Sequence, residues 1–220
     1  MQKSKLLFRA KISEEKFCEI LRFFALDLNS CQIAALLDIN RNTVNRYVMA
    51  IRKTIARHCQ RGRCCNSAQC SIGVNLVSGI RGRNPSMQHM LVWLFEEEGH
   101  VYTEIVPERF TGLMQGIMRG KIRADVLEAM GLATCKAIAN VDNKRLFHIP
   151  EKGNCEAGKR SAIAPVDRFW GVFKQRKSKM RGIKRSCLPF HIKECEFRFN
   201  NAQQDILNLL HTIIDHDRMS

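Results

Sequence analysis

One carboxylate in the C-terminal third of the chain lies in a pattern that could support chemistry. Four apolar residues recur around it at helical spacing: Val166, Phe169, Trp170 and Phe173. Asp167 falls about 100° from Val166 around such a helix, so we expect its carboxylate at the edge of a packed apolar face. Positions 174–185 then carry seven Lys or Arg and no acid. Strong positive potential directly after a carboxylate favours contact with an anionic backbone such as nucleic acid.

The N-terminal part of the chain has the spacing of three helices. Apolar periodicity predicts a first helix over 13–28 that is capped by Ser13, and a short second helix that is capped by Ser30. Asn40 would cap a third helix that begins at Arg41. Two helices joined by a tight turn, after a longer helix, are typical of a helix-turn-helix.

The polar face of the third helix is chemically suited to double-stranded DNA. It presents Arg41, Asn42, Asn45 and Arg46. Arg and Asn hydrogen-bond guanine edges, adenine edges and phosphates when they lie near the N-terminus of a recognition helix. The alternative is an ordinary helical hairpin with a solvated polar face. The net charge and the helix arrangement together favour DNA binding.

Composition sets the broad class. The chain has 220 residues, 45% of them hydrophobic, and a formal net charge of +15. That length can bury the core of one domain and a small appendage, and the charge favours a polyanionic partner. Ribosomal and membrane-surface proteins share this charge. No window has the roughly 18 to 20 apolar residues of a membrane span, and the N-terminus lacks the apolar core of a secretory signal. We therefore expect a cytoplasmic, nucleoid-associated protein without membrane contact.

The chain has ten cysteines. Four crowd into one loop-like region: Cys59, Cys64, Cys65 and Cys70. A zinc site is one interpretation, although paired C-x2-C spacing is missing; reduced thiols are the other. Five others have apolar neighbours and are predicted to be small core residues: Cys18, Cys31, Cys135, Cys187 and Cys195.

A domain boundary is predicted at a linker over 59–70, which is rich in Gly, Arg and Cys and has no apolar period. It separates a helical domain over 1–58 from a second domain over 71–220. The second domain is predicted to begin with strands over 72–80, 90–95 and 101–106, followed by a helix over 110–119. This α/β order is compatible with an RNase H-like layer and with other mixed folds. Residues 124–149 show no clear pattern.

A series of motifs runs through the chain in a recognisable order. The C-terminal members are Phe169-Trp170, Lys174, Arg176, Gly182-Ile183 and Lys193-Glu194-Cys195-Glu196-Phe197-Arg198-Phe199-Asn200. Earlier members are Asn40-Arg41-Asn42-Thr43-Val44-Asn45-Arg46, Arg81-Gly82-Arg83 and Gly99-His100-Val101-Tyr102-Thr103-Glu104-Ile105-Val106-Pro107. In this order, the chain resembles bacterial insertion-sequence transposases of the DDE class that are related to the eukaryotic Merlin elements. The resemblance covers nearly the whole chain.

The resemblance implies an RNase H-like catalytic domain preceded by a helix-turn-helix domain. It also implies a homo-oligomer that binds the terminal inverted repeats of an element and cleaves and transfers DNA strands with Mg²⁺. Chemistry of this class needs two metal ions about 4 Å apart, and three carboxylates to hold them. Asp167 stands where the family has its last catalytic Glu, so it would be a catalytic residue and metal ligand. The basic turn would add DNA contacts from Lys174, Arg176 and Lys177.

The other two carboxylates are missing from the expected positions. The family's first Asp and the neighbouring Glu correspond to Val74 and Asn75, and its second Asp corresponds to Met130. Asp125 and Glu128 lie near the second position, whereas positions 59–95 contain no Asp or Glu at all. We therefore expect a transposase with impaired catalysis.

Two other functions remain open at this point. One is a non-catalytic DNA-binding protein, derived from a transposase, that regulates or occupies element ends. The other is a regulator in which the cysteines of 59–70 hold zinc.

Overall fold

The computed structural model describes residues 12–61, 89–150, 164–180 and 182–219. These residues divide into two compact units. One unit combines 12–61 with 201–219, and the other comprises 89–200. The sequence placed the last twenty positions in the second domain, whereas the structure joins them to the N-terminal helices.

The helical unit contains α1 (Glu14–Ala25), α2 (Ser30–Leu37), α3 (Arg41–Arg61) and α8 (Ile206–Met219). The side chain of Ser13 accepts a hydrogen bond from the backbone of Lys16, which confirms the predicted cap of α1. The predicted cap of α2 is wrong by one residue. Asn29 is the N-cap and forms a reciprocal capping box with Gln32, so Ser30 is already helical.

The turn between α2 and α3 is short and tightly hydrogen-bonded. Asp38 ends α2 in the left-handed region with φ 50°, and the side chain of Asn40 accepts from the backbone of Asn42 at 2.8 Å. The second bond confirms Asn40 as the cap of α3. This helix continues to Arg61, so the first residues of the predicted linker are helical.

One apolar core holds the four helices together. Helix α8 contacts both α1 and α3. The buried hydrophobic residues are Phe17, Ile20, Leu21 and Phe24 of α1, Ile33 of α2, Val44, Tyr47, Val48, Ile51, Ile55 and Ala56 of α3, and Leu210, Ile213 and Ile214 of α8. Their spacing of three and four residues is what places them on one face of each helix.

The second unit is built on a four-stranded antiparallel sheet with the order β2-β1-β3-β4. The strands are β1 (Leu91–Glu97), β2 (His100–Ile105), β3 (Cys135–Asn140) and β4 (Arg145–His148). Strands β1 and β2 are the predicted hairpin, turning at Glu98 and at Gly99 with φ 79°. Strands β3 and β4 lie in the stretch that showed no pattern. The predicted strand over 72–80 lies outside the described residues.

Helices cover both faces of the sheet. Helices α6 (Pro165–Lys179) and α7 (Leu188–Asn200) pack on one face, where Val92, Leu94 and Ala137 meet the predicted apolar face of α6. Helix α4 (Glu108–Met118) and the single turn α5 (Val126–Ala129) cover the other, around Trp93. Met130, the position that corresponds to the family's second Asp, directly follows the helical turn α5. The described chain is therefore mixed α and β.

The cysteine predictions have a divided outcome. Cys135 and Cys195 are buried as expected, and Cys187 is partly buried. Cys18 and Cys31 are exposed, because each lies off the apolar face of its helix. Cys59 is on α3, and the other three cysteines of 59–70 lie outside the described residues.

Within the described residues, no helix combines the length and apolarity that crossing a membrane requires.

Candidate nucleic-acid interface and the Asp167 site

The four predicted DNA contacts of α3 lie together on its exposed surface. Arg41, Asn42, Asn45 and Arg46 are all exposed. The inward face of the same turns is occupied by Val44, Tyr47 and Val48, which are buried. Because the helix advances by about 100° per residue, burying these three positions turns the polar residues outward. The first two turns of α3 therefore present two guanidinium groups and two amides to solvent.

Arg46 is held in place by an aromatic neighbour. Its guanidinium lies 5.2 Å from the centre of the Tyr47 ring and contacts the phenolic oxygen at 3.4 Å. Tyr47 in turn packs edge-on against Phe17 of α1, with ring centres 5.9 Å apart. The orientation of the polar face thus depends on the packing of α1.

Asp167 is at the N-terminal end of α6. It lies in the first turn of the helix, where a carboxylate interacts favourably with the unpaired backbone N–H groups. Its Oδ1 atom is 2.9 Å from Nε2 of His148 at the end of β4. The two side chains are 28% and 38% exposed, so both are accessible to solvent.

Sequence reasoning assigned no role to His148. Its pairing with Asp167 arises because α6 packs along the β3–β4 hairpin, and the residues are nineteen positions apart. No sequence periodicity links the two residues, so the sequence alone carries no signal for this contact.

Asp142 is two residues after the end of β3 and lies at the other end of the β3–β4 hairpin. In the pairing of β3 with β4, His148 is opposite Ala137, at the end of the hairpin away from the turn. Asp142 is in the turn, two residues after Asn140. Lys177 contacts Val141 beside Asp142 and follows Asp167 by ten residues on α6. Lys177 is ten residues from Asp167, or roughly 15 Å along α6 at 1.5 Å per residue, so Asp142 lies toward the far end of α6 from Asp167.

The donor set of the described residues does not fit a pair of Mg²⁺ ions. No group of three or more His, Cys, Asp or Glu converges among them. Asp125, one of the two acids near the second expected position, is 3.1 Å from Arg123. Val74 and Asn75, at the first position, lie outside the described residues. The described part of this site has one carboxylate and one imidazole, which do not supply the oxygen ligands that two hard cations require.

The three predicted DNA contacts of α6 have different environments. Lys174 is exposed. The guanidinium of Arg176 is 2.9 Å from buried Glu194, with only 18% of its side chain exposed. Lys177 donates to the carbonyl of Val141, and partial burial lowers the pKa of its ammonium group. These contacts leave Lys174 the most accessible of the three.

Helix α7, which carries the family-like motif 193–200, is tied to the outer edge of β2 by side chains. Asn200 accepts from the backbone N–H of Val101 and donates to its carbonyl, both at 2.9 Å. Glu196 accepts from the backbone N–H of Thr103 at 2.8 Å and also binds the Lys193 ammonium at 2.7 Å. The backbone groups of an edge strand would otherwise be open to another strand. The side chains of this motif therefore cover the outer edge of β2.

A second buried cluster joins α7 to α6. Glu194 is 1% exposed and accepts from Arg176 and from Arg198, both at 2.9 Å. Between the two glutamates lies Cys195, where burial raises the thiol pKa to about 12. Such a thiol is inert at neutral pH.

Comparison with known proteins gives one relative. Over 103 residues, the chain is 27% identical to an uncharacterized transposase-like protein of Haemophilus influenzae. The match spans 47% of this chain and 83% of that protein. No family model matches the chain, and no solved structure matches it. The similarity supports a relationship between this chain and transposase-like proteins.

Proposed function

We propose that this chain is an insertion-sequence transposase of the DDE class by descent, which binds DNA through α3 and is impaired in strand cleavage. The observation that carries the proposal is the exposed face of Arg41, Asn42, Asn45 and Arg46 at the start of α3. The proposal includes a helix-turn-helix formed by α2 and α3, an RNase H-like second unit and the terminal inverted repeats as target. It also includes a homo-oligomer.

The chemistry of the α3 face supports DNA rather than another polyanion. Two amides and two guanidinium groups lie within two helical turns, and Asn and Arg form bidentate pairs with adenine and guanine in the major groove. A surface that recognised charge alone would need no amides. The formal net charge of +15 adds affinity for the phosphate backbone.

Impaired cleavage is supported by the positions of the acids. Asp167 pairs with His148, and Asp142 lies at the other end of the β3–β4 hairpin. Strand transfer through two metal ions needs three carboxylates around one point. The same arrangement favours a second candidate function, in which the protein occupies element ends and performs no chemistry.

Binding is tested with the full-length chain and a labelled duplex that carries the inverted repeats flanking its gene. Arg41→Ala and Asn45→Ala are each expected to weaken specific binding by about 1–3 kcal/mol, or roughly 5- to 150-fold. Arg22→Ala removes the same charge from the exposed side of α1 and serves as the control. Fluorescence anisotropy at fixed salt measures the dissociation constants. Equal, small losses for all three variants would contradict the proposal.

Cleavage is tested on the same DNA with Mg²⁺ or Mn²⁺. We expect binding without strand cleavage. Cleavage that disappears in Asp167→Asn would show that the missing acids are supplied elsewhere, and would refute the impairment.

A further inference from the structure

The turn between β3 and β4 is fixed by its own side chains. Oδ1 of Asn140 accepts from the backbone N–H of Asp142 and of Asn143, at 3.1 and 3.2 Å. Oδ1 of Asn143 accepts from the backbone N–H of Arg145 at 3.1 Å. Lys144 has φ 58°, and its carbonyl accepts from the indole of Trp170. The backbone that carries Lys144 is therefore preorganised.

Three cations lie close to this turn. We call them, together with the acid Asp142, the turn cluster: Lys144, Lys177, Arg185 and Asp142. Arg185 is 3.4 Å from Oδ2 of Asp142, and the same oxygen accepts from the backbone N–H of Met90 at 2.7 Å. Lys177 donates to the carbonyl of Val141, one residue before Asp142. Three positive charges and one negative charge leave the turn cluster at +2 near pH 7.

The three positive charges of the turn cluster repel one another, and Asp142 attracts them. Partial burial is the main cause that lowers the pKa of Lys177, and the positive charges of Lys144 and Arg185 lower it further, against the attraction of Asp142. An anion placed among the three cations would relieve this repulsion. Lys144 is exposed and the side chain of Arg185 is 43% exposed, so such an anion can approach from solvent.

We propose that the turn cluster is a second DNA contact, which binds the phosphate backbone of a duplex without reading its sequence. The proposal rests on the proposed function, since it assumes that DNA is the ligand. Arg185 and Lys177 are already held by Asp142 and by the Val141 carbonyl, so they lose little side-chain entropy when they bind a phosphate. Cations that bind phosphates also release condensed counterions from the duplex. The site would lie at the opposite end of the β3–β4 hairpin from Asp167. It would position DNA along α6, where Lys174 is also exposed.

The test measures how the affinity for a non-specific duplex depends on salt. In the full-length chain, the double variant Lys144→Gln/Arg185→Gln is expected to reduce the slope of log K against log salt by about two. The control double variant Arg119→Gln/Lys121→Gln removes the same charge beyond α4, on the other face of the sheet. It is expected to change the slope by less than half as much. Equal changes in the two double variants would overturn the proposal.

Two further variants separate binding from folding and from the α3 face. Arg185→Lys keeps the charge but loses the guanidinium geometry at Asp142, so it should keep the slope of the wild type. If Arg185→Lys lowers the slope as far as the single variant Arg185→Gln does, Arg185 has a structural role and a phosphate contact is refuted. The slope change is also measured in an Arg41→Ala/Asn45→Ala background. A change that persists there supports the turn cluster, whatever the α3 variants show. If only the turn-cluster variants lose affinity, the proposed role of α3 fails while this inference stands.

Discussion

Glu194 and Glu196 are two residues apart on α7, and both are 1% exposed. Each is held by cations and donors inside the second unit, so neither is available to a metal ion or to DNA. Asp167 differs because it lies at the start of a helix with 28% of its side chain exposed. At the residue scale, burial distinguishes the acids that maintain the fold from the acid that could meet a ligand.

His58 on α3 gives the helical unit a pH dependence. Partial burial, followed by the charges of Arg61 and His216, lowers its pKa below 6.5. The unfolded chain therefore binds this proton first, and stability should fall as pH drops below 6.5 toward the folded pKa. Above 6.5 this contribution should be constant. Urea unfolding between about pH 7 and pH 5, followed by circular dichroism, measures the effect.

The variant His58→Gln should remove part of that acid sensitivity while leaving stability at neutral pH nearly unchanged. A variant as acid-sensitive as the wild type would assign the dependence to another group.

At the scale of elements, side chains of α7 connect the sheet to α6 through hydrogen bonds to β2 and an ion pair with Arg176. Glu196→Gln should lower the stability of the second unit by about 3–5 kcal/mol, because it leaves the Lys193 ammonium buried without its counter-charge. Both tryptophans of the chain are in this unit, so the shift of their fluorescence in urea reports the loss.

Adding Lys193→Met removes the buried charge, and Gln at 196 can still accept from Thr103. The double variant should recover most of the stability. If it is as unstable as Glu196→Gln, the hydrogen bonds to β2 carry the stabilisation and the ion pair does not.

The elements that sequence predicted are those whose burial is periodic or, for β1, one continuous apolar run. Helices α1 and α3 and the β1–β2 hairpin show their spacing directly. Strand β3 was missed because Lys136, Ala137, Ala139 and Asn140 are weak strand formers, and pairing with β1 imposes the conformation. The exposed residues of α3 followed from helix periodicity. The contact of Asp167 with His148 could not be predicted, since tertiary packing creates it.

At the scale of the whole molecule, the helical unit is assembled from both ends of the described chain. Leu210 of α8 is 1% exposed, and α8 packs against α1 and α3. Leu210→Ala should lower the stability of the helical unit by about 2–5 kcal/mol through the cavity it leaves. Hydrogen exchange should then be faster in α1 and α3 as well as in α8. His211→Ala, at an exposed neighbouring position, is the control.

Faster exchange confined to α8 would contradict a shared core. Weaker DNA binding by Leu210→Ala, at temperatures where the wild type stays folded, would link α8 to the α3 surface.

The placement of α8 also has a consequence for synthesis on the ribosome. Helices α1 to α3 emerge first, but their fourth partner follows only after positions 62–200 have been translated. At ordinary elongation rates this delay is on the order of ten seconds. During that time the apolar side chains that α8 covers stay open to chaperones or to other nascent chains. A frameshift or stop codon anywhere in the sheet-containing unit would remove α8, so the truncated product would lack part of the core of the helical unit.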